Sequence, residues 1–246
     1  MTRPAKPDAA MRAILITGAA GGLGRAIALH LAAPGATLLL HHRGEEGRAR
    51  AVLDAARERG AEGMLLRADL AVLEERERMM DQARDRAPAL AALINNAGSY
   101  LDLPLQEISP RQWQAALDVN CSAVFHLTQR AIPLLRAGAP ARVINIGDSG
   151  AGRVAARLQA TPYHVAKLGV SVLTRSFAKL LAGDGITVNQ ISPGFLENSI
   201  GDPGSPIPAG RRGTFGDVIE ALDFLLSPQA GYVTGADIVV SGGWNL

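Results

Sequence analysis

Tyr163 and Lys167 stand four residues apart in a stretch with helical patterning. On a helix that spacing sets both side chains on one face, one turn apart. A phenol ordinarily keeps its proton until about pH 10. A lysine cation beside it, together with a positively charged ring bound nearby, would favour the phenolate and bring the group nearer working pH, as acid–base chemistry requires. Such a pair also arises by accident, so its meaning depends on what else the chain carries. A second stretch with chemical content is residues 14–24, Ile-Leu-Ile-Thr-Gly-Ala-Ala-Gly-Gly-Leu-Gly. Gly18, Gly22 and Gly24 fall where an apolar strand turns into a helix, which allows a tight turn and close approach of a ligand. The N–H groups and positive dipole end of that helix make an anion site suited to a pyrophosphate. The spacing is Thr-Gly-x-x-x-Gly-x-Gly, not the Gly-x-Gly-x-x-Gly of the general dinucleotide fingerprint.

These residues need a scaffold, and the chain reads as alternating strands and helices. Strands are expected at 12–17, 37–41, 63–67, 90–94, 142–146, 186–191 and 237–240. Helices are expected at 23–33, 45–59, 72–86, one or two within 110–135, then 162–181 and 215–226. In the second helix Ala51, Val52, Ala55 and Ala56 are expected to face inward. This alternation predicts an α/β fold: a doubly wound, mainly parallel sheet with helices on both faces and every strand's C-terminal end on one edge. No repeat or linker divides the chain, so residues 11–246 read as one domain behind a short, loose tail at 1–10.

Composition narrows the function classes. A chain of 246 residues with 48% hydrophobic and 20% charged residues is globular and long enough to bury a sizeable core. The net charge of +2 is small, and arginines alternate with acids along the helices, which reads as a solvated surface and not a nucleic-acid footprint. No apolar run approaches the roughly 20 residues of a membrane span. The single cysteine, Cys121, excludes an internal disulfide and suits a reducing compartment. A cytoplasmic protein is expected, with no membrane and no nucleic-acid partner. His30, His126 and His164 sit singly on helices and are expected to pack or face water, with no metal site. Cys121 reads as a small hydrophobe, and Trp113 and Trp244 as packing aromatics.

Taken together and in order, Thr17-Gly-x-x-x-Gly-x-Gly24, Asn95-Asn-Ala-Gly98, Asn120, Tyr163-x-x-x-Lys167 and Ser192-Pro-Gly194 resemble the short-chain dehydrogenase/reductase family across nearly the whole chain. The resemblance implies a seven-stranded Rossmann-type sheet and a nicotinamide-dependent oxidoreductase. It implies that Tyr163 donates a proton to a carbonyl or imine, that Lys167 lowers the Tyr163 pKa and holds the ribose, and that Asn120 fixes a water in a proton relay. Gly18, Gly22, Leu23 and Gly24 match the pyrophosphate turn. Asp69, followed by Leu70, matches the carboxylate that holds the adenine amine, and Asn96, Ala97 and Gly98 the segment under the adenine ribose. Pro193, Gly194 and the residues to Asn198 match the nicotinamide clamp.

One catalytic position departs from the pattern. The family's carbonyl-polarising serine falls three residues after the position of Asn145, which here is Asp148, with Ser149 next. Counting back from Tyr163 lands on Gly150, so the loop carries an insertion. Either Ser149 turns into the site or Asp148 takes the role. An aspartate here is similar to pteridine reductases, although the intact Asn-Ala-Gly is not. Cofactor choice rests on Leu40-His41-His42-Arg43, where NAD-specific relatives carry an acid at the place of His42. With no carboxylate there, and with the Arg43 guanidinium suited to a 2′-phosphate, NADP (as NADPH) is expected over NAD. The segment between Asn198 and Arg211 holds three prolines and three glycines, so the substrate lid is expected to be short and non-helical.

The sequence thus points to a reductase of a small carbonyl or cyclic imine, pteridine-like or 3-oxoacyl-thioester-like. The competing reading is a catalytically silent NADP-binding regulatory protein. Relatives commonly pair the helices around 115–135 and 165–181, which implies a homotetramer or homodimer.

Overall fold

A computed structural model describes residues 13–44, 46–199 and 204–244; the expected tail at 1–10 lies outside them. Seven strands form one parallel sheet: β1 (Ala13–Ile16), β2 (Thr37–His42), β3 (Glu62–Arg67), β4 (Leu90–Asn95), β5 (Ala141–Ile146), β6 (Ile186–Pro193) and β7 (Asp237–Val240). Their spatial order is β3-β2-β1-β4-β5-β6-β7. The order reverses between β1 and β4, and a crevice at such a switch point is where doubly wound sheets bind ligands. The connecting helices are α1 (Gly22–Leu31), α2 (Glu46–Glu58), α3 (Leu73–Arg86), α4 (Pro110–Leu117), α5 (Ala123–Ala137), α6 (Thr161–Leu181) and α7 (Phe215–Leu226).

Two apolar layers sandwich the sheet. Met79, Met80 and Ala83 of α3, Leu127 and Leu134 of α5, and Phe177 and Leu181 of α6 bury one face. Ile27 and Leu31 of α1, Val52 and Leu53 of α2, and Val218, Leu222 and Leu225 of α7 bury the other. Strands covered on both sides must be apolar throughout, which explains runs such as Leu38-Leu39-Leu40. The inward stripe of α2 is Ala49, Val52, Leu53 and Ala56. This corrects the expectation for Ala51, which is exposed, and for Ala55, which is half-buried. The observed stripe follows the i, i+3, i+4, i+7 spacing of one helix face, whereas Ala51 lies on the opposite side.

The one or two helices expected within 110–135 form one nearly continuous rod. Ser109 caps its start with a reciprocal Gln112 bond, and Asp118–Ser122 forms a π-helical turn between α4 and α5. Asn120 lies in that wider turn. The segment 204–210 contains no helix, in line with its prolines, and Ala209 N donates to Gly242 O at 2.9 Å. Close by, the Phe195 and Trp244 rings meet edge-on at 4.7 Å. No helix among the described residues is long and apolar enough to cross a membrane.

Candidate active site

At the C-terminal edge of β1 and β4 lies a cavity of ≈ 430 Å³. Gly18, Gly21, Leu23, Gly24, His41, Arg43, Asp69, Leu70, Asn96, Ala97, Gly98, Ser99, Val119 and Asn198 line it. The turn into α1 has an open end: Gly21 offers no side-chain cap and the first turn carries no acid, so its N–H groups and dipole remain available to an anion. Gly24 has no alternative, since a Cβ there would collide with the Gly18 carbonyl and the Asn96 amide. Asn96 holds the opposite wall, its Nδ2 donating to Thr17 O at 2.9 Å and its backbone N to Thr17 Oγ1 at 2.9 Å. A Cβ on Gly98 would stand 2.8 Å from Asn120 Oδ1 and 3.8 Å from Lys167 Nζ. The cradle therefore has the shape and donor set for a dinucleotide. Backbone N–H groups face its pyrophosphate position, and a glycine floor beside Lys167 leaves space for a ribose. Asp69 is at the far end, where its Oδ1 accepts from Ala71 N at 2.9 Å.

Helix α6 carries Lys167 next to Gly98 of the cavity floor, with Tyr163 one turn earlier; neither is in the lining itself. The Tyr163 hydroxyl donates to Asp148 Oδ2 at 3.2 Å, and Asp148 Oδ1 accepts from Gly150 N at 2.7 Å. Lys167 Nζ donates to the Ile146 carbonyl at 2.7 Å and lies 5.7 Å from the centre of the Tyr163 ring. Tyr100 meets Tyr163 edge-on, with ring centres 5.0 Å apart. Ser149 points elsewhere: its N donates to Pro193 O, and its buried Oγ has no partner among the described residues. Of the two alternatives, Asp148 is the side chain that reaches Tyr163.

Burial pushes the Tyr163 pKa well above the usual phenol value, and the Asp148 carboxylate adds to the effect through its charge and its hydrogen bond. The negative neighbour bonds directly to the hydroxyl, whereas the ammonium is turned to the Ile146 carbonyl. Lys167 itself is pushed down to about 8 by burial, against the opposing pull of Asp148. Held in this way, the phenol keeps its proton more tightly than a free phenol does. The Cys121 thiol is pushed up by burial, as befits a packing residue, with Lys167 working against the shift.

Other expected residues divide. Arg43 lines the cavity but His42 does not. Its neighbour His41 does, because adjacent strand residues face opposite sides. His42 is buried, its Nδ1 without a partner among the described residues. Strand alternation reveals that 41 and 42 diverge, but only the packing shows which one faces the cavity. Gly22 closes the turn against Asn198. Pro193 and Gly194 flank the cavity without lining it, with Gly194 N donating to Val240 O at 2.9 Å. The Asn120 amide is occupied: Oδ1 accepts from Ser99 N at 3.1 Å, and Nδ2 donates to Ser99 O and Ala116 O at 2.9 Å each. It anchors the floor loop to the π-helical turn. Ser99 and Val119 also line the cavity and Tyr100 packs on Tyr163; they adjoin motifs without belonging to them, so spacing alone does not mark them. No group of His, Cys, Asp and Glu residues suited to a metal occurs among the described residues; His30 instead meets Asp223 at 2.7 Å.

Comparison with known proteins gives this architecture a family. A model described as enoyl-(acyl carrier protein) reductase matches residues 18–245. The 3-oxoacyl-[acyl-carrier-protein] reductase FabG of Staphylococcus aureus (strain Mu50) is 34% identical over 241 residues, covering 94% of this chain and 97% of that protein. A 3-oxoacyl-[acyl-carrier-protein] reductase of Synechocystis is 35% identical over 236 residues, covering 93% of this chain and 95% of that protein. Among solved structures, a Serratia marcescens short-chain dehydrogenase/reductase mutant superimposes with a TM-score of 0.89 at 28% identity, covering 96% and 99% of the two chains. The angucycline C-6 ketoreductase LanV with bound NADP gives 0.85 at 27% identity, covering 96% of each. The chain belongs to the short-chain dehydrogenase/reductase family. It is an oxidoreductase that works with a nicotinamide cofactor.

Proposed function

We propose that this enzyme is an NADPH-dependent reductase of a small substrate with a C=N or C=O bond, in which Tyr163 donates the proton. The observation that carries this reading is the Tyr163 hydroxyl held against Asp148, one helical turn from the Lys167 that adjoins Gly98 of the cradle. Bound NADPH supplies the hydride. Tyr163 offers its proton to the reduced atom, Lys167 would hold the ribose, and Arg43, which lines the cavity, would pair with the 2′-phosphate. Tyr100 covers the outer edge of the Tyr163 ring.

Asp148 bears on substrate choice. A carboxylate accepts hydrogen bonds and offers none to a carbonyl oxygen, unlike the hydroxyl expected at this position. It pairs better with a substrate that presents an N–H or a protonated imine, and a cyclic imine of dihydropteridine type meets that requirement. A 3-oxoacyl thioester is the second reading, favoured by the S. aureus and Synechocystis relatives. Steady-state oxidation of NADPH and NADH with dihydropterins, cyclic imines, 3-oxoacyl thioesters and simple ketones separates the two. We expect NADPH to be preferred and the imines to turn over fastest. Absence of turnover with every compound, alongside retained NADPH binding, would instead favour the regulatory reading.

We also propose that the enzyme is cytoplasmic and assembles as a homotetramer or homodimer through α5 and α6. Phe125, Val165 and Val172 remain exposed there, an apolar face with a use in assembly. Sedimentation at micromolar concentration should give a species two or four times the 25.7 kDa chain mass; a stable monomer would reject this.

A further inference from the structure

His41 is 3% exposed, lines the dinucleotide cavity, and has no role in the reading given above. Its Nδ1 lies 3.0 Å from Gly18 N and its Nε2 lies 3.0 Å from Ala68 O. A backbone N–H can only donate and a carbonyl can only accept. Nδ1 is therefore the bare nitrogen and Nε2 carries the hydrogen, which defines one neutral tautomer. The His41 backbone adds a third tie, its carbonyl accepting from Ala19 N at 2.8 Å. The two ends of the ring thus touch two different parts of the cradle. Gly18 begins the pyrophosphate turn after β1, and Ala68 immediately precedes Asp69 after β3.

We propose that His41 is a positioning residue for the dinucleotide, a buried neutral imidazole that sets the separation between the pyrophosphate turn and the adenine-side loop of Asp69. It makes no bond in the reaction. Its ring occupies the Gly18 N–H, so the peptide that opens the turn has one orientation and the N–H groups of residues 22–24 face the anion. The charge state fits this role. Burial brings the imidazole down to about 4; the Ala68 carbonyl opposes the shift, His42 adds to it and Asp69 opposes it. At neutral pH the bare nitrogen is thus available to accept.

The test is binding of NADP+, measured by calorimetry on the whole chain, for His41→Asn, His41→Gln and His41→Phe. Asparagine places an acceptor where Nδ1 stands, glutamine places a donor where Nε2 stands, and phenylalanine keeps only the ring shape. His41→Phe should weaken NADP+ binding about ten- to a hundredfold, the effect of a buried donor left unpaired. His41→Asn should bind within about threefold of the unaltered chain, with His41→Gln between them. That order is not expected of a residue that merely fills space. A His41→Phe protein with unchanged affinity would overturn the proposal. So would equal losses in all three variants, or a failure of all three to fold, since either would make His41 a packing residue. The proposal rests on dinucleotide binding and not on the substrate. An unaltered chain that bound neither NADP+ nor NAD+ would overturn it together with the cofactor reading, whereas variants matching a chain that does bind would overturn it alone.

Discussion

Replacing Tyr163 with phenylalanine should lower kcat for reduction about 10²- to 10⁴-fold, the range contributed by a positioned proton donor. NADPH affinity should stay within about threefold, because the ring that remains can still meet Tyr100 and the glycine cradle is untouched. The reasoning is geometric first. The hydroxyl is the part of the side chain that bonds to Asp148, and the substitution removes only that atom. Burial and the adjacent carboxylate hold the phenol protonated, so at neutral pH the unaltered enzyme carries the proton it must give. Single-turnover kinetics with preloaded NADPH would check this, since they isolate the chemical step from product release. A kcat within about fivefold of the unaltered enzyme would remove Tyr163 from the proton transfer.

Much of this arrangement was legible in the residues. The glycine turn, the Tyr163–Lys167 pair and the alternation of strands and helices rest on local rules of spacing, which one sequence displays directly, whereas Asn96 is marked by the family resemblance alone. The errors came where a side chain's surroundings are set by distant parts of the chain. Helix periodicity gives the width of the apolar stripe on α2, but only packing against β2 and β3 selects Ala49 and Leu53 over Ala51 and Ala55. Alternation along β2 sends His41 and His42 to opposite sides, and only the packing shows that His41 is the one lining the cavity. Local spacing likewise does not show that Asp148, fifteen residues earlier in the chain, returns to the Tyr163 hydroxyl. Insertion in that loop leaves the choice between Asp148 and Ser149 open on counting alone. The hydrogen bonds settle their placement: Asp148 bonds to Tyr163, and Ser149 is tied through its backbone to Pro193.

Asp148 is where the second large effect is expected. Substituting asparagine keeps the size of the side chain and removes the charge, so Tyr163 loses a neighbour that holds its proton and Lys167 loses one that supports its cation. The two consequences have definite signs. The carboxylate raises both pKa values, so its removal lowers both, although burial continues to hold the phenol up. With Lys167 at about 8 in the unaltered enzyme, the alkaline limb of kcat/KM should begin near that pH and move to lower pH in Asp148→Asn. A profile measured from pH 6 to 10 with a dihydropterin or cyclic imine would show it; an unchanged limb, or one displaced upward, would contradict the assignment. Asp148→Ser extends the argument from acidity to recognition. It exchanges an acceptor for a hydroxyl that can donate, so kcat/KM for an N–H-bearing substrate should fall about 10²-fold, the scale of one buried polar group left unpaired. Activity towards ketones and 3-oxoacyl thioesters should rise in the same variant, because their oxygen then meets a donor beside Tyr163. If the serine variant instead favoured imines more strongly than the unaltered enzyme, Asp148 would be a loop-holding carboxylate bound to Gly150 and not the residue that selects the substrate.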